Sequence, residues 1–297
     1  MKNVKTPGIA IASSTPRAGC RMRVSAYLLA LGALASTQAQ AQTPAPLAEW
    51  QFSVGVPLEK LFEETIPEWE VRLGAAAMLR PHYDGSSKYI VIGGPSVDIR
   101  YRDIAFASIG EGLGVNVLRG KNYRAGIALT YNLGRRAEEN SPLLDGMKNI
   151  NPAPEAKLFA EYAVSKEFPL VMRVDARRSL GGSDGWIGDI GAYMPLPGSS
   201  EKFYWFAGPT LTLADSRYMN AWYGVSASQA RPGRPQFSPG GGVRSYGFGL
   251  SAVWFFDKHW FATTDVSVLQ LVGDAKRSPL TQTATGGAFD LSINYQF

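Results

Sequence analysis

The last twelve residues, 286–297, restrict the fold more than any other stretch. Phe289, Leu291, Ile293, Tyr295 and Phe297 are apolar or aromatic, while Asp290, Ser292, Asn294 and Gln296 between them are polar. Side chains along a strand alternate between two faces, so this segment is a strand with one apolar and one polar face. A soluble sandwich also contains such strands, with its charges on the solvent side. Repetition at about ten residues per strand is the mark of a transmembrane β-barrel, with lipid outside and a polar lumen inside.

The pattern does repeat. Trp69, Val71, Leu73, Ala75, Ala77 and Leu79 oppose Glu70, Arg72, Gly74 and Arg80. Val97, Ile99 and Tyr101 oppose Asp98, Arg100 and Arg102. Similar splits occur at 122–132, 157–165, 170–177 and 245–256, with weaker ones at 186–194, 203–213 and 260–268. Aromatic residues gather at the strand ends, where amphipathic rings meet a bilayer interface. The expectation is an all-β fold, a transmembrane antiparallel barrel over residues 68–297.

The start of the chain reads differently. Arg21 and Arg23 precede an apolar run, 24–35, and Ala39-Gln40-Ala41 follows. This is the form of a secretory signal peptide over residues 1–41, and Met22 is an alternative start that would remove residues 1–21. Residues 42–67, with four prolines, read as a periplasmic lead-in. Removing the leader takes away Lys2, Lys5, Arg17, Arg21 and Arg23 and no acid, leaving 25 basic against 25 acidic residues. A balanced chain has no electrostatic footprint for nucleic acid. The only cysteine, Cys20, leaves with the leader, so disulfides and thiolate sites are excluded from the exported part.

Connections alternate in length. Short ones lie at 120–122, 166–168, 197–200 and 257–258, and long ones at 134–154, 214–242 and 273–285. Barrels of the outer membrane have short periplasmic turns and long external loops, which places both termini in the periplasm and makes the strand number even. Residues 104–118 then form two short strands broken at Gly110-Glu111-Gly112, for a total of about 12, with about 10 as the alternative.

Few residues suit catalysis. His259 sits at a turn, and His82 lies in a loop with Asp84 and Ser86. An outer-membrane hydrolase would need such partners to meet in space beside an oxyanion site, whereas turn chemistry already accounts for Tyr83-Asp84-Gly85-Ser86. Two distant histidines do not make a zinc site, and no cofactor is implied. The charged residues carry more. Glu70, Arg72, Asp98, Arg100, Arg102, Arg124, Lys157, Glu161, Arg173, Asp175, Arg177, Asp189, Asp265 and Asp290 all fall on inner faces. Mixed signs in a narrow lumen favour a paired lattice, with a narrow selective pore as the alternative.

Loop motifs add a resemblance. Tyr83-Asp84-Gly85-Ser86, Gly110-Glu111-Gly112-Leu113-Gly114, Tyr131-Asn132-Leu133-Gly134-Arg135 and Leu144-Asp145-Gly146 come first. The 218–226 block from Tyr218 to Ser226, Gln229-Ala230, Gly273-Asp274-Ala275 with Ser278-Pro279-Leu280, and the closing Tyr295-Gln296-Phe297 follow. Together they resemble the MipA/OmpV family of outer-membrane proteins over residues 80–297. The resemblance implies a non-enzymatic scaffold that holds a murein lytic transglycosylase near a bifunctional penicillin-binding protein. It also implies porin-like or adhesin roles as alternatives, and no catalytic residues. The expected surroundings are the bilayer of a Gram-negative outer membrane, with Tyr295 and Phe297 as the signal for the barrel assembly machinery.

Overall fold

The computed structural model describes residues 66–137 and 143–297; the expected signal peptide and lead-in up to residue 65 lie outside the described residues. Within them, twelve antiparallel strands close into one barrel. They are β1 Trp69–Pro81, β2 Tyr89–Tyr101, β3 Ala105–Ser108, β4 Gly112–Arg119, β5 Tyr123–Asn132 and β6 Ala153–Ala163. The others are β7 Val171–Ser179, β8 Trp186–Pro195, β9 Phe203–Ala214, β10 Gly242–Phe255, β11 Trp260–Leu271 and β12 Thr285–Gln296. The count is twelve rather than ten because 104–118 does split, into β3 and β4.

Each strand pairs with its neighbours in sequence, and β12 returns to β1, from Arg72 opposite Gln296 to Leu79 opposite Phe289. The Phe297 amide donates to the Val71 carbonyl at 3.0 Å, extending this seam by one step. Closure leaves no long edge at the seam, and every paired backbone group is satisfied within the wall. One rim, here the terminal rim, carries the start of β1, the end of β12 and most of the tight turns. The opposite loop rim carries the long connections.

The facing follows the alternation. Leu291 and Ile293 point outward and are half exposed, whereas Asp290, Ser292 and Asn294 point inward and are buried. Outward aromatics form two belts. Trp69, Tyr101, Tyr123, Tyr162, Trp254 and Trp260 lie near the terminal rim, and Tyr89, Tyr131, Trp186 and Tyr246 near the loop rim. Rings in the lower belt touch: Trp69 and Tyr101 have centroids 4.7 Å apart. An apolar outer band between aromatic belts is the surface a bilayer requires.

Three details depart from the sequence reading. The inner wall is not polar throughout, because Val171, Tyr193, Phe206, Val253 and Phe261 pack together with Tyr204 and Phe255 near the terminal rim. Strands with apolar residues on both faces lose their alternation, which is why 186–194, 203–213 and 260–268 read weakly. Arg102 is not on an inner face. It sits in the β2–β3 turn with φ 47°, is exposed, and pairs with Glu68.

The third departure is the height of the β3–β4 hairpin, whose ladder ends at Ser108 opposite Gly112. Gly112 has φ +88°, and a Cβ there would lie 2.3 Å from the Leu129 carbonyl, so the tip turns sharply against β5. Glycine alone adopts that conformation in that space. The pairing of β2 with β3 stops at Asp98, while β2 continues to Tyr89 against β1 alone.

Candidate functional site

The strands bring the lumen charges into a chain of alternating sign. Glu70 lies 3.1 Å from Arg72, Arg72 lies 3.0 Å from Asp98, and Arg100 Nε lies 3.2 Å from the Asp98 carboxylate. Arg100 also pairs with Glu111 of the β3–β4 turn. Glu111 reaches Arg173 of β7 at 3.6 Å, which in turn contacts Glu161 at 3.3 Å. Arg124 pairs with Glu161 and lies 3.3 Å from Asp103. A second group joins Arg177 to Asp175 at 3.2 Å and to Asp189, whose other oxygen accepts from Thr212 at 2.6 Å. Lys157, Asp265 and Asp290 are likewise inward and buried, and Ser251 donates to Asp265. From Glu70 to Asp103, and within the Arg177 group, each charge touches its opposite, the condition for tolerating it away from water, whereas Asp265 and Asp290 are both acids and stand opposite each other across β11 and β12.

Glu111 and Asp103 were not among the sequence-derived lumen charges. Both sit in turns, where alternation gives no facing. Glu111 matters most of the two because it carries the lattice across from the β2 side to β7, skipping β5 and β6. The parity of the strand count was the signal available. A turn forced into the middle of 104–118 must lie at mid-height, and its acid then meets the inner charges.

At the loop rim the long connections fold into a lid. The 215–241 loop contains helix α1, Ser216–Tyr223, capped by Asp215, which accepts the Tyr218 amide at 2.7 Å. Tyr218, Met219, Trp222 and Tyr223 bury one face of α1 against Ile150, Ile187, Leu271 and Ala275. Tyr83, Ala137, Leu144, Val225 and Leu280 form a second cluster. The Tyr83 hydroxyl donates to the Leu280 carbonyl at 3.0 Å, and Ser278 donates to the Tyr223 carbonyl at 2.6 Å. Most of the motifs that carry the family resemblance thus come from four loops and meet in one body, while Gly110–Gly114 lies in the β3–β4 hairpin and Tyr295–Phe297 at the opposite rim.

Arg135 is one of the buried cations of this lid. It donates to the Trp222 carbonyl at 2.5 Å and the Ala221 carbonyl at 3.4 Å, at the C-terminal end of α1. Its guanidinium lies 5.7 Å from the Trp222 ring centre and 5.9 Å from that of Tyr83. Helix carbonyls and ring faces stand in for a carboxylate. Burial lowers its pKa to about 10, opposed by the nearby tyrosines, so it stays charged at neutral pH. Burial also pushes the Tyr218 phenol up to about 12.

The residues weighed for catalysis are built into the same lid. Ser86 Oγ donates to the Lys88 carbonyl at 3.3 Å, and Asp84 pairs with Arg244 at 2.8 Å. The His82 amide bonds the Lys88 carbonyl. His259, at the opposite rim, stacks on Tyr295 at 5.4 Å and its Nδ1 lies 3.0 Å from the Gln296 carbonyl oxygen. No group of three or more potential metal ligands occurs among the described residues.

One lid contact is tied to pH. Asp274, in helix α2 (Gly273–Arg277), accepts the Gly240 amide at 2.7 Å and pairs with Arg277. Those contacts, the Gly240 bond foremost, lower its pKa. A carboxylate with a depressed folded pKa contributes stability above its unfolded value and loses it as the pH falls through the folded one. After correction for intrinsic rates, Gly240 amide protection should hold at neutral pH and decline below about pH 4. Asp274→Asn should flatten that decline. Hydrogen exchange read by mass spectrometry over 238–242 measures it, and identical profiles for the two proteins would remove Asp274 from this role.

A closed antiparallel barrel with an apolar outer band and a charged interior is a transmembrane β-barrel. Residues 73–297 match the model of the family described as MltA-interacting protein MipA, and the chain belongs to that family. No curated protein matches the sequence. Among solved structures, the chain is similar to the NanC porin at 8% identity and TM-score 0.37, covering 77% of this chain and 100% of that one. It is also similar to the CymD monoaromatic hydrocarbon channel at 8% identity and TM-score 0.38, covering 87% and 94%. A bacterial polysaccharide outer membrane secretin gives 9% identity and TM-score 0.40, covering 79% and 99%.

Proposed function

We propose that this chain is a non-enzymatic scaffold in the outer membrane of a Gram-negative bacterium, holding peptidoglycan-remodelling enzymes on its periplasmic side. The observation that carries the reading is the match of nearly the whole barrel to a family described by its interaction with MltA. In this reading a murein lytic transglycosylase and a bifunctional penicillin-binding protein are the partners. Residues 1–41 are a cleaved export signal, 42–67 a periplasmic lead-in, and the terminal rim faces the periplasm. Tight turns at that rim and long loops at the other support this orientation. Tyr295 and Phe297 serve as the signal read by the barrel assembly machinery. The role calls for no cofactor and no nucleic acid.

The lumen supports a structural role over a conducting one, because most of its charges are spent on each other in alternating pairs rather than arranged as a ring of one sign. The test has two parts. Detergent-solubilised full-length protein should retain a lytic transglycosylase from an envelope extract; retention of no murein enzyme would overturn the scaffold reading. In planar bilayers the same preparation should be nearly silent, and steady openings would favour a channel.

A further inference from the structure

The barrel wall is notched. The β3–β4 hairpin ends where Ser108 meets Gly112, and the Ile109 amide makes the last contact to β2, at the Val97 carbonyl. Above that point β2 runs eight further residues, from Ser96 to Tyr89, paired with β1 and with no strand on its other side among the described residues. At about 3.3 Å per residue this is roughly 26 Å of open strand. On the far side of the gap β5 stands clear of β4 from Thr130 to Asn132.

Backbone direction fixes what the edge presents. Val97 bonds toward β3, so Tyr89, Val91, Gly93 and Pro95 turn their backbone groups the same way, into the gap. Pro95 has no amide to leave unpaired, and proline is a residue that sheet edges tolerate. Val91 is 73% exposed, higher than any other large apolar side chain of the wall. On the β2 side the gap runs down from the belt residue Tyr89 into the apolar outer band; on the β5 side it starts at the belt residue Tyr131, whose hydroxyl donates to the Ile109 carbonyl of the hairpin tip at 3.3 Å. Open edges are not stable against hydrocarbon unless they border a cavity or are covered by protein.

A second copy of the chain cannot meet this edge in the antiparallel pairing used throughout the wall. Two copies inserted with the same topology are related by an axis along the membrane normal, so their β2 strands run in the same sense. Antiparallel pairing of the two edges would need one copy inverted. The inner wall beside the gap suits another occupant. Ala76, Met78, Ile90, Ile92 and Ala288 point inward here, and both isoleucines are partly accessible. This is a small apolar strip, bordered by Asp290 opposite Met78 and by Arg80 opposite Ile90, and Glu111, which carries the lattice across, sits in the hairpin tip that forms the floor of the gap.

We propose that the notch between β2 and β5 is a lateral portal through which the acyl chain of a membrane lipid enters the barrel and lies on the apolar strip. The lid folds over the loop rim and the lattice crosses below, so the open route to the strip runs sideways from the bilayer. Lattice and portal are coupled through Glu111: its pairing with Arg100 and Arg173 holds the hairpin tip down and the gap open.

The experiment uses the full chain refolded in vesicles containing an alkyne-tagged phospholipid, with a benzophenone amino acid at one position at a time. Position 92 faces inward behind the gap, position 210 faces inward on the intact wall of β9, and position 268 faces outward on β11. Lipid adducts at 92 should come within about three-fold of those at 268 and exceed those at 210 by about ten-fold. Gly94→Trp should cut the yield at 92 by at least five-fold. No atom lies within 4 Å of a Cβ added there, so the first carbon of the new side chain meets no clash. Yields at 92 no higher than at 210 would overturn the portal, whether or not the Gly94→Trp variant folds. So would yields unmoved by Gly94→Trp in a folded barrel, or adducts at 92 formed with another polypeptide in place of lipid.

Discussion

Arg100→Ala is expected to destabilise the barrel by about 3–5 kcal/mol, the usual loss when one member of a buried ion network is removed. Arg100 touches both Asp98 and Glu111, and all three are buried. Deleting the cation leaves two carboxylates facing each other across a space with little water. Arg100→Lys keeps the charge but loses the planar fork that reaches both acids, so its cost should be intermediate. Denaturant unfolding in lipid vesicles, followed by heat-modifiable migration, measures this. A loss under about 1 kcal/mol for the alanine variant would mean that the lattice is not holding the hairpin.

Leu291→Arg is expected to cost about 2–4 kcal/mol, the penalty for a cation on the lipid face near the bilayer midplane. Leu291 points outward from the middle of β12, between Ala77 and Thr264 of the neighbouring strands. Ile293→Arg should cost less, because Tyr295 of the aromatic belt is two residues away and the guanidinium can reach the interface. Ser267→Arg, facing inward where the side chain is partly accessible, should cost least. Refolding yield and denaturant midpoints in vesicles rank the three. Equal losses for Leu291→Arg and Ser267→Arg would reverse the assigned facing of the wall.

The sequence made the barrel legible wherever the two faces of a strand meet different surroundings. In β6, β7, and the parts of β1 and β2 near the terminal rim, one side meets lipid and the other a lattice of charge, so the period of two is sharp. In β8, β9 and β11 the inner face carries Tyr193, Phe206 and Phe261, and apolar residues on both sides blur it. The lid was hidden for another reason. Helix α1 is eight residues inside a long loop, too short for a 3.6 period to stand out. Asp215 as a cap, followed by Tyr218, Met219, Trp222 and Tyr223 on one face, was the trace it left. Arg135 could not be found from sequence, since its partners are main-chain carbonyls 86 and 87 residues away. Glu111 was visible as a turn residue but not as a lumen charge, because facing in a turn is set by tertiary packing.

The seam between β1 and β12 has a consequence beyond closing the wall. Arg72 Nε donates to Gln296 Oε1 at 3.2 Å across 224 residues of sequence, so the two ends of the barrel are next-door neighbours at one rim. In connectivity the molecule is a ring cut once. The cut need not fall where it does: a short linker over the seam would heal it, and a new break in the tight turn at 196–202 would leave every strand with the same two partners. What defines the architecture is the cyclic order of its strands, and the position of the first residue is incidental to it.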